Sequence, residues 1–183
     1  MPLYEINGRK PVIGEGTWIA PSAEIIGDVR IGKRCYIGFG AIIRGDYGTI
    51  IIGDETAIEE GCMIHARPMQ MVQIGNRVTV GHMVMIHGSI IMDNAVIGMH
   101  ATLSDNAEIG EWAIIAEHAL VVNKQKIPGY KVYGGVPAKE IGDVLQKHMD
   151  IWNAGKQVYV DLTYQYPQSF KRIIFYIRLY PCE

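Results

Sequence analysis

Residues 91–121, IMDNAVIGMHATLSDNAEIGEWAIIAEHALV, repeat a unit of six. Ile91, Ile97, Leu103, Ile109, Ile115 and Val121 keep that phase without a break, and Ala95, Ala101, Ala107, Ala113 and Ala119 each follow an aliphatic position by four places. An α-helix of about 3.6 residues per turn cannot hold a six-residue phase on one face over such a length, and a sheet of hairpins needs a turn signal at every reversal. The hexad suits a short strand and a bend, repeated.

Working outward, the phase extends in both directions, from Ile13 to Tyr133. Upstream it holds Ile13, Ile19, Ile25, Ile31, Ile37 and Ile43; a three-residue insertion precedes Ile52, Ile58 and Ile64, and a four-residue insertion precedes Ile74, Val80 and Ile86. A one-residue deletion leads into Ile91, and Ile127 and Tyr133 close the series. Glycine stands beside the aliphatic residue at 14, 32, 38, 53, 75, 81, 98, 110 and 134, where we expect it to supply the backbone angles of the bend. If three hexads make one coil, residues 1–136 form an all-β solenoid, a triangular parallel β-helix of six to seven coils.

Past the repeat the period changes. In VPAKEIGDVLQKHMDIWNAGK, the residues Ile141, Val144, Leu145, His148 and Trp152 share a helical stripe, with Pro137 near its start and Gly155 after its end. Residues 137–166 are therefore expected to form a helical segment alongside the prism, with 158–166 as a second piece, and 167–183 a tail without an assigned role. With 17 basic and 19 acidic residues, the net charge of −2 leaves no footprint for nucleic acid. Neither a leader nor an apolar run of about 20 residues is visible, so the expectation is a cytoplasmic protein without a membrane span. Cys35 and Cys62 fall on the small position of the hexad and Cys182 beyond the repeat, an odd set that reads as free thiols.

Stacking the coils gives the histidines of IHARPMQMVQIGNRVTVGHMVMIHG a geometry. Ile43, Ile64 and Ile86 occupy one face in successive coils, so Arg44, His65 and His87, which follow them, form a column. Parallel neighbours lie about 4.8 Å apart, close enough for two imidazoles to converge on one ion. His82 follows Val80 by two places and belongs to the adjacent face. It completes a site only if a second subunit brings its face against this one, as three prisms about a threefold axis would do. Three neutral imidazoles with an open fourth position make a catalytic zinc arrangement. His100 and His118 share a column without a matching third ligand, and His148 reads as packing on the helix.

The spacing of His65, His82 and His87, the triplet Arg44-Gly45-Asp46, the hexads and the segment after GGVPAK together resemble the γ-class carbonic anhydrase family. The resemblance implies a left-handed β-helix, a homotrimer and a metal, Zn2+ with Fe2+ or Co2+ as substitutes, held at each interface by His65 and His87 of one subunit and His82 of the next. It makes Arg44 and Asp46 an interface ion pair near the site. The short stretch ARPMQMVQ after His65 is similar to the branch associated with phenylacetate degradation and carnitine operons, and lacks the long acidic loop of the family's archetype. Tyr47 stands where that archetype has a glutamate, and Ala57 and Glu59 stand where the family often has Asn and Gln. Glu59 is the candidate proton acceptor, with Glu60 behind it; Tyr47 joins Arg44 and Asp46 as a candidate catalytic residue, and Tyr47, Gln73 and Tyr130 are candidate polar contacts that spacing does not select.

The first expectation is zinc-activated water attacking CO2 to give bicarbonate. Three alternatives share the fold: hydrolysis of an acyl-CoA thioester at the same metal, histidine-assisted acyl transfer without one, and a non-catalytic assembly subunit.

Overall fold

The computed structural model describes residues 3–173, and from Leu3 to Gly134 the chain winds through about seven turns of a left-handed parallel β-helix. The first face stacks the opening half of Ile42–Ile52 on Met63–His65 and Met85–His87, with Ile43, Ile64 and Ile86 in register and Arg44, His65 and His87 beside them. The second face stacks the closing half of Ile42–Ile52 on Met71–Ile74 and Ile90–Ile91. Because Glu24–Ile31 and Ile42–Ile52 turn the corner as continuous strands, these two faces form one sheet. The third face is a separate sheet running from Trp18–Ile19 to Lys131–Gly134.

Each large aliphatic residue of the hexad points inward, and Ile43, Ile64, Ile86, Ile97 and Leu103 are fully buried. The small residues Ala95, Ala101, Ala107 and Ala113 fill the corners at full burial. Irregularities in the six-residue phase become local departures from the prism. The first insertion lies inside Ile42–Ile52 and carries Asp46 and Tyr47; the second forms the connection from Arg67 to Gln70.

The glycines work differently from the sequence expectation. Left-handed backbone angles at the bends fall mainly on non-glycine residues, among them Arg34, Glu55, Arg77, Asn94, Trp112 and Tyr130, with φ between 51° and 61°, and on other glycines such as Gly16, Gly40 and Gly61. The glycine beside the aliphatic residue is required by proximity instead. A Cβ on Gly53 would stand 2.6 Å from the carbonyl carbon of Gly75 in the next coil, closer than real contacts allow.

The segment after the repeat also departs from expectation. Lys139–Asp143 is a strand, antiparallel to Lys131–Gly134, and only then does helix α1 begin, running without interruption from Gln146 to Ser169. An unpaired edge on the last coil gains ladder hydrogen bonds from this return strand, which outweighs the helical spacing of Ile141 and Val144. Ile141 is accordingly exposed, Gly155 lies inside α1, and His148 caps the helix by accepting a hydrogen bond at Nδ1 from the Leu145 N–H (3.1 Å). The stripe that α1 buries is Lys156, Val160 and Thr163, packed on the third face.

The far end of α1 closes on an aromatic cluster. Trp18 stacks on Tyr36 at 5.2 Å between ring centroids and meets Tyr166 edge-on at 4.6 Å. No helix among the described residues is long and apolar enough to cross a membrane. Cys35 and Cys62 are buried free thiols, and burial pushes them up to about 11 and about 12; Cys182 lies outside the described residues.

Candidate metal centre

Parallel pairing places His65 directly beside His87, with His65 Nδ1 3.1 Å from His87 Nε2. The other nitrogen of each ring is engaged by a carboxylate. His65 Nε2 is 3.2 Å from Asp46 Oδ1, and His87 Nδ1 is 2.6 Å from Asp105 Oδ1. An ionised carboxylate only accepts, so in a neutral ring each of these nitrogens is the one that carries the proton. The remaining nitrogens then present bare lone pairs to each other across 3.1 Å. That approach is repulsive unless a positive charge lies between them. Two imidazole nitrogens bound to one tetrahedral metal at about 2.0–2.1 Å stand about 3.3 Å apart, so the spacing fits such an ion.

The flanking carboxylates are themselves held. Arg44 Nη1 lies 2.7 Å from Asp46 Oδ2, within one chain, and Arg67 Nη2 lies 2.6 Å from Asp105 Oδ2. Burial works against the charge on Asp46, but the His65 hydrogen bond and the Arg44 guanidinium outweigh it and hold the carboxyl below its ordinary range. Burial, with Arg44 adding to it, lowers His65 and keeps it neutral against the pull of Asp46. This is the pattern of metal-binding histidines oriented by carboxylates behind them.

His82 sits at the bend after the third face, between two carboxylates: Nε2 is 3.1 Å from Glu59 Oε2 and Nδ1 is 2.8 Å from Glu60 Oε2. Glu60 also accepts a 2.7 Å hydrogen bond from the Tyr36 hydroxyl. Burial raises Glu59 above the ordinary carboxylate range, and Tyr159 and His82 partly offset the rise. Tyr159 reaches Glu59 from α1 and is pushed upward in turn, first by burial and then by the Glu59 charge. Among the described residues, no group of three or more His, Cys, Asp or Glu side chains converges as a metal site within the single chain.

The structure thus brings together Arg44, Asp46, His65 and His87 in one cluster and Glu59, Glu60 and His82 in another. Tyr47 is exposed in a groove with Arg9, Arg30 and Met69, while Gln73 and Tyr130 line grooves farther along the prism. His100 and His118 stack with rings 5° from parallel and 4.8 Å apart, an arrangement that aims no two nitrogens at one point. Sequence reasoning missed Asp105, Arg67, Tyr36 and Tyr159. Asp105 stands 18 places after His87, but the one-residue deletion shortens that coil to 17, so Ser104 holds the next place in the column and Asp105 lies at the bend beyond it.

A family model described as bacterial transferase hexapeptide (six repeats) matches residues 10–45 and 88–123. The chain is 33% identical over 166 residues to Gamma carbonic anhydrase 2, mitochondrial, of Arabidopsis thaliana, an alignment spanning 87% of this chain and 60% of that protein. It is 37% identical over 82 residues to Carnitine operon protein CaiE of Escherichia coli O157:H7, covering 45% of this chain and 42% of that one. Thus the chain spans well under two thirds of the length of these relatives. Among solved structures, a Bacillus cereus protein whose name ascribes it to the acetyltransferases is 35% identical with a TM-score of 0.89, covering 92% of this chain and 98% of its own. A hexapeptide transferase family protein from Anaplasma phagocytophilum is 28% identical with a TM-score of 0.86, covering 90% and 98%.

Proposed function

The chain belongs to the hexapeptide-repeat family, and on that footing we propose that it is a metal-dependent hydratase of the γ-carbonic-anhydrase type, working as a homotrimer. The observation that carries the reading is the facing pair of bare imidazole nitrogens, His65 Nδ1 and His87 Nε2, each ring held from behind by a carboxylate. His65 and His87 of one copy, with His82 of a neighbouring copy, would hold Zn2+, Fe2+ or Co2+. When bound, the metal acts as a Lewis acid and lowers the pKa of water to about 7, which makes a nucleophile available at neutral pH.

The protein's own groups then have distinct tasks. Asp46 and Asp105 keep the protons on His65 Nε2 and His87 Nδ1, so that the opposite nitrogens stay available. Arg44 helps keep Asp46 ionised, and Arg67 pairs with Asp105. Hydration of CO2 to bicarbonate releases one proton, and Glu59 is the acceptor we assign. His82 is held by two carboxylates in the single chain, so its ligation frees one of them. Glu59, already drawn toward the protonated form by burial, is better matched to taking a proton near neutrality than an ordinary carboxylate.

The experiment is metal content per subunit, followed on the same sample by CO2 hydration with and without chelator. About one metal per subunit and chelator-sensitive hydration are expected, with metal lost in His65→Ala and in His87→Ala. Full metal content in either variant would overturn the ligand assignment. A second reading, acyl transfer from a coenzyme A thioester, draws on the names of the Bacillus and Anaplasma structures. It predicts acetyl transfer that survives His65→Ala.

A further inference from the structure

Among the described residues, the interface between α1 and the third face buries one basic side chain. Lys156 lies in the middle of α1 with 2% of its surface exposed, and its Nζ donates to Thr79 Oγ1 at 3.1 Å and to the Ala95 carbonyl at 3.3 Å. The indole ring of Trp112 lies 5.9 Å from the same nitrogen. No carboxylate among the described residues pairs with it directly. One turn farther along, on the same side of α1, Tyr159 reaches Glu59 and Val160 is buried against the sheet. A methionine or leucine would fill the volume at 156 without a donor, so the amine contributes something packing alone does not.

We propose that Lys156 is a positioning residue: anchored to Thr79 and to the Ala95 carbonyl, it fixes the register of α1 on the sheet, and through Tyr159 it holds the Glu59 carboxyl in place beside His82. The inference rests on the reading that Glu59 and His82 belong to the functional site. Helix register matters here because rotation by one residue moves a side chain about 100° around the axis. An apolar stripe tolerates such slippage, whereas two directed hydrogen bonds do not. The carbonyl of Ala95 also accepts the Thr79 N–H at 3.0 Å, so the helix is tied to the strand step that leads into Gly81 and His82.

The anchor carries a signature that a purely structural side chain lacks. Burial, reinforced by Arg77, brings Lys156 down to about 7, and Glu59 opposes the shift; those are the two charged groups that reach it from the sheet. The seated lysine is therefore neutral above about pH 7, whereas a lysine released to solvent holds its proton to about 10.4. Between these limits release of α1 takes up one proton. The seated state gains about tenfold for each pH unit as pH rises from about 7 to 10, and loses that gain as pH falls back through 7.

The test uses full-length, metal-free protein with 3-fluorotyrosine incorporated. The fluorine resonance of residue 159, assigned by loss in Tyr159→Phe, reports seating, and amide exchange across 150–163, corrected for intrinsic rates, reports release. Wild type is expected to give one seated resonance at pH 8 and an opening equilibrium that falls about tenfold per pH unit from 7 toward 10. Lys156→Met should displace or split the resonance and flatten the pH dependence, and Thr79→Val should displace it while keeping the slope. A wild-type resonance with an unchanged slope in Lys156→Met would overturn the proposal. If Lys156→Met fails to fold, an undisplaced resonance in Thr79→Val overturns it. Neither readout depends on metal or turnover, so failure here is distinct from failure of the metal site.

Discussion

Each imidazole has two nitrogens, and the fate of one fixes what the other can do. Asp105 accepts a hydrogen bond from His87 Nδ1–H at 2.6 Å, which leaves Nε2 facing His65. Asp105→Asn keeps the shape but replaces an obligate acceptor with an amide that can rotate to present a donor. Metal affinity measured by chelator competition should fall about 10–100-fold, and an unchanged affinity would show that Asp105 does not orient the ring. The thiols give a second residue-scale expectation. With Cys35 and Cys62 buried and displaced upward, native protein treated with iodoacetamide at pH 8 should yield both unmodified in peptide maps, since the thiolate is the reactive form. At this scale the column of His65 and His87 was readable from the hexad, because spacing alone puts two residues on adjacent strands. The partners of those residues were not, because the one-residue deletion between Ile86 and Ile91 puts Asp105 one place out of register with His87 and Tyr159 arrives from a helix whose rotation the sequence misstated.

That misstatement is instructive about elements. The stripe which α1 buries contains Lys156 and Thr163, two residues that hydrophobic periodicity counts against a buried face, whereas the apolar Ile141 went to an exposed position on a strand. Periodicity located the solenoid because every strand contributes the same two residue types to one core. It failed on the helix because only one side of one element meets one particular surface. The long strand Ile42–Ile52 is the element on which the site depends most, since it carries Arg44 and Asp46 past a bend. Gly45 lies between them, and a Cβ there would come within 2.5 Å of the Asp28 carbonyl oxygen in the neighbouring coil. Gly45→Ala should cost about 1–3 kcal/mol as an overpacked site, each kcal/mol lowering Tm by about 2–4 °C, and should loosen Asp46 from His65. Calorimetry showing no change would mean that the coils part there without strain.

For the whole molecule, the unbroken phase from Ile91 to Val121 already specified a solenoid, and about seven turns agree with the count of hexads. The proposed assembly was not legible in the repeat, because a threefold axis would leave no period in the sequence. It enters only through His82, which lies with Glu59 and Glu60 rather than with the other two imidazoles. If the metal joins side chains of different copies, it stabilises assembly as well as chemistry. Stripping it with a chelator should shift the proposed trimer toward monomer on dilution, read by native mass spectrometry, and His82→Ala should imitate that shift without chelator. A trimer indifferent to both treatments would place the metal, if any, inside one subunit.

The antiparallel return of Lys139–Asp143 has an effect beyond closing a hairpin. A parallel solenoid ends in a row of unpaired backbone groups, and such an end can recruit another molecule and grow by addition. Here the last coil meets a strand running the opposite way, fastened by Lys131 to Glu140 and Asp143 at 2.9 and 2.7 Å. A second solenoid arriving at the third face finds a strand of the wrong direction to continue the winding there.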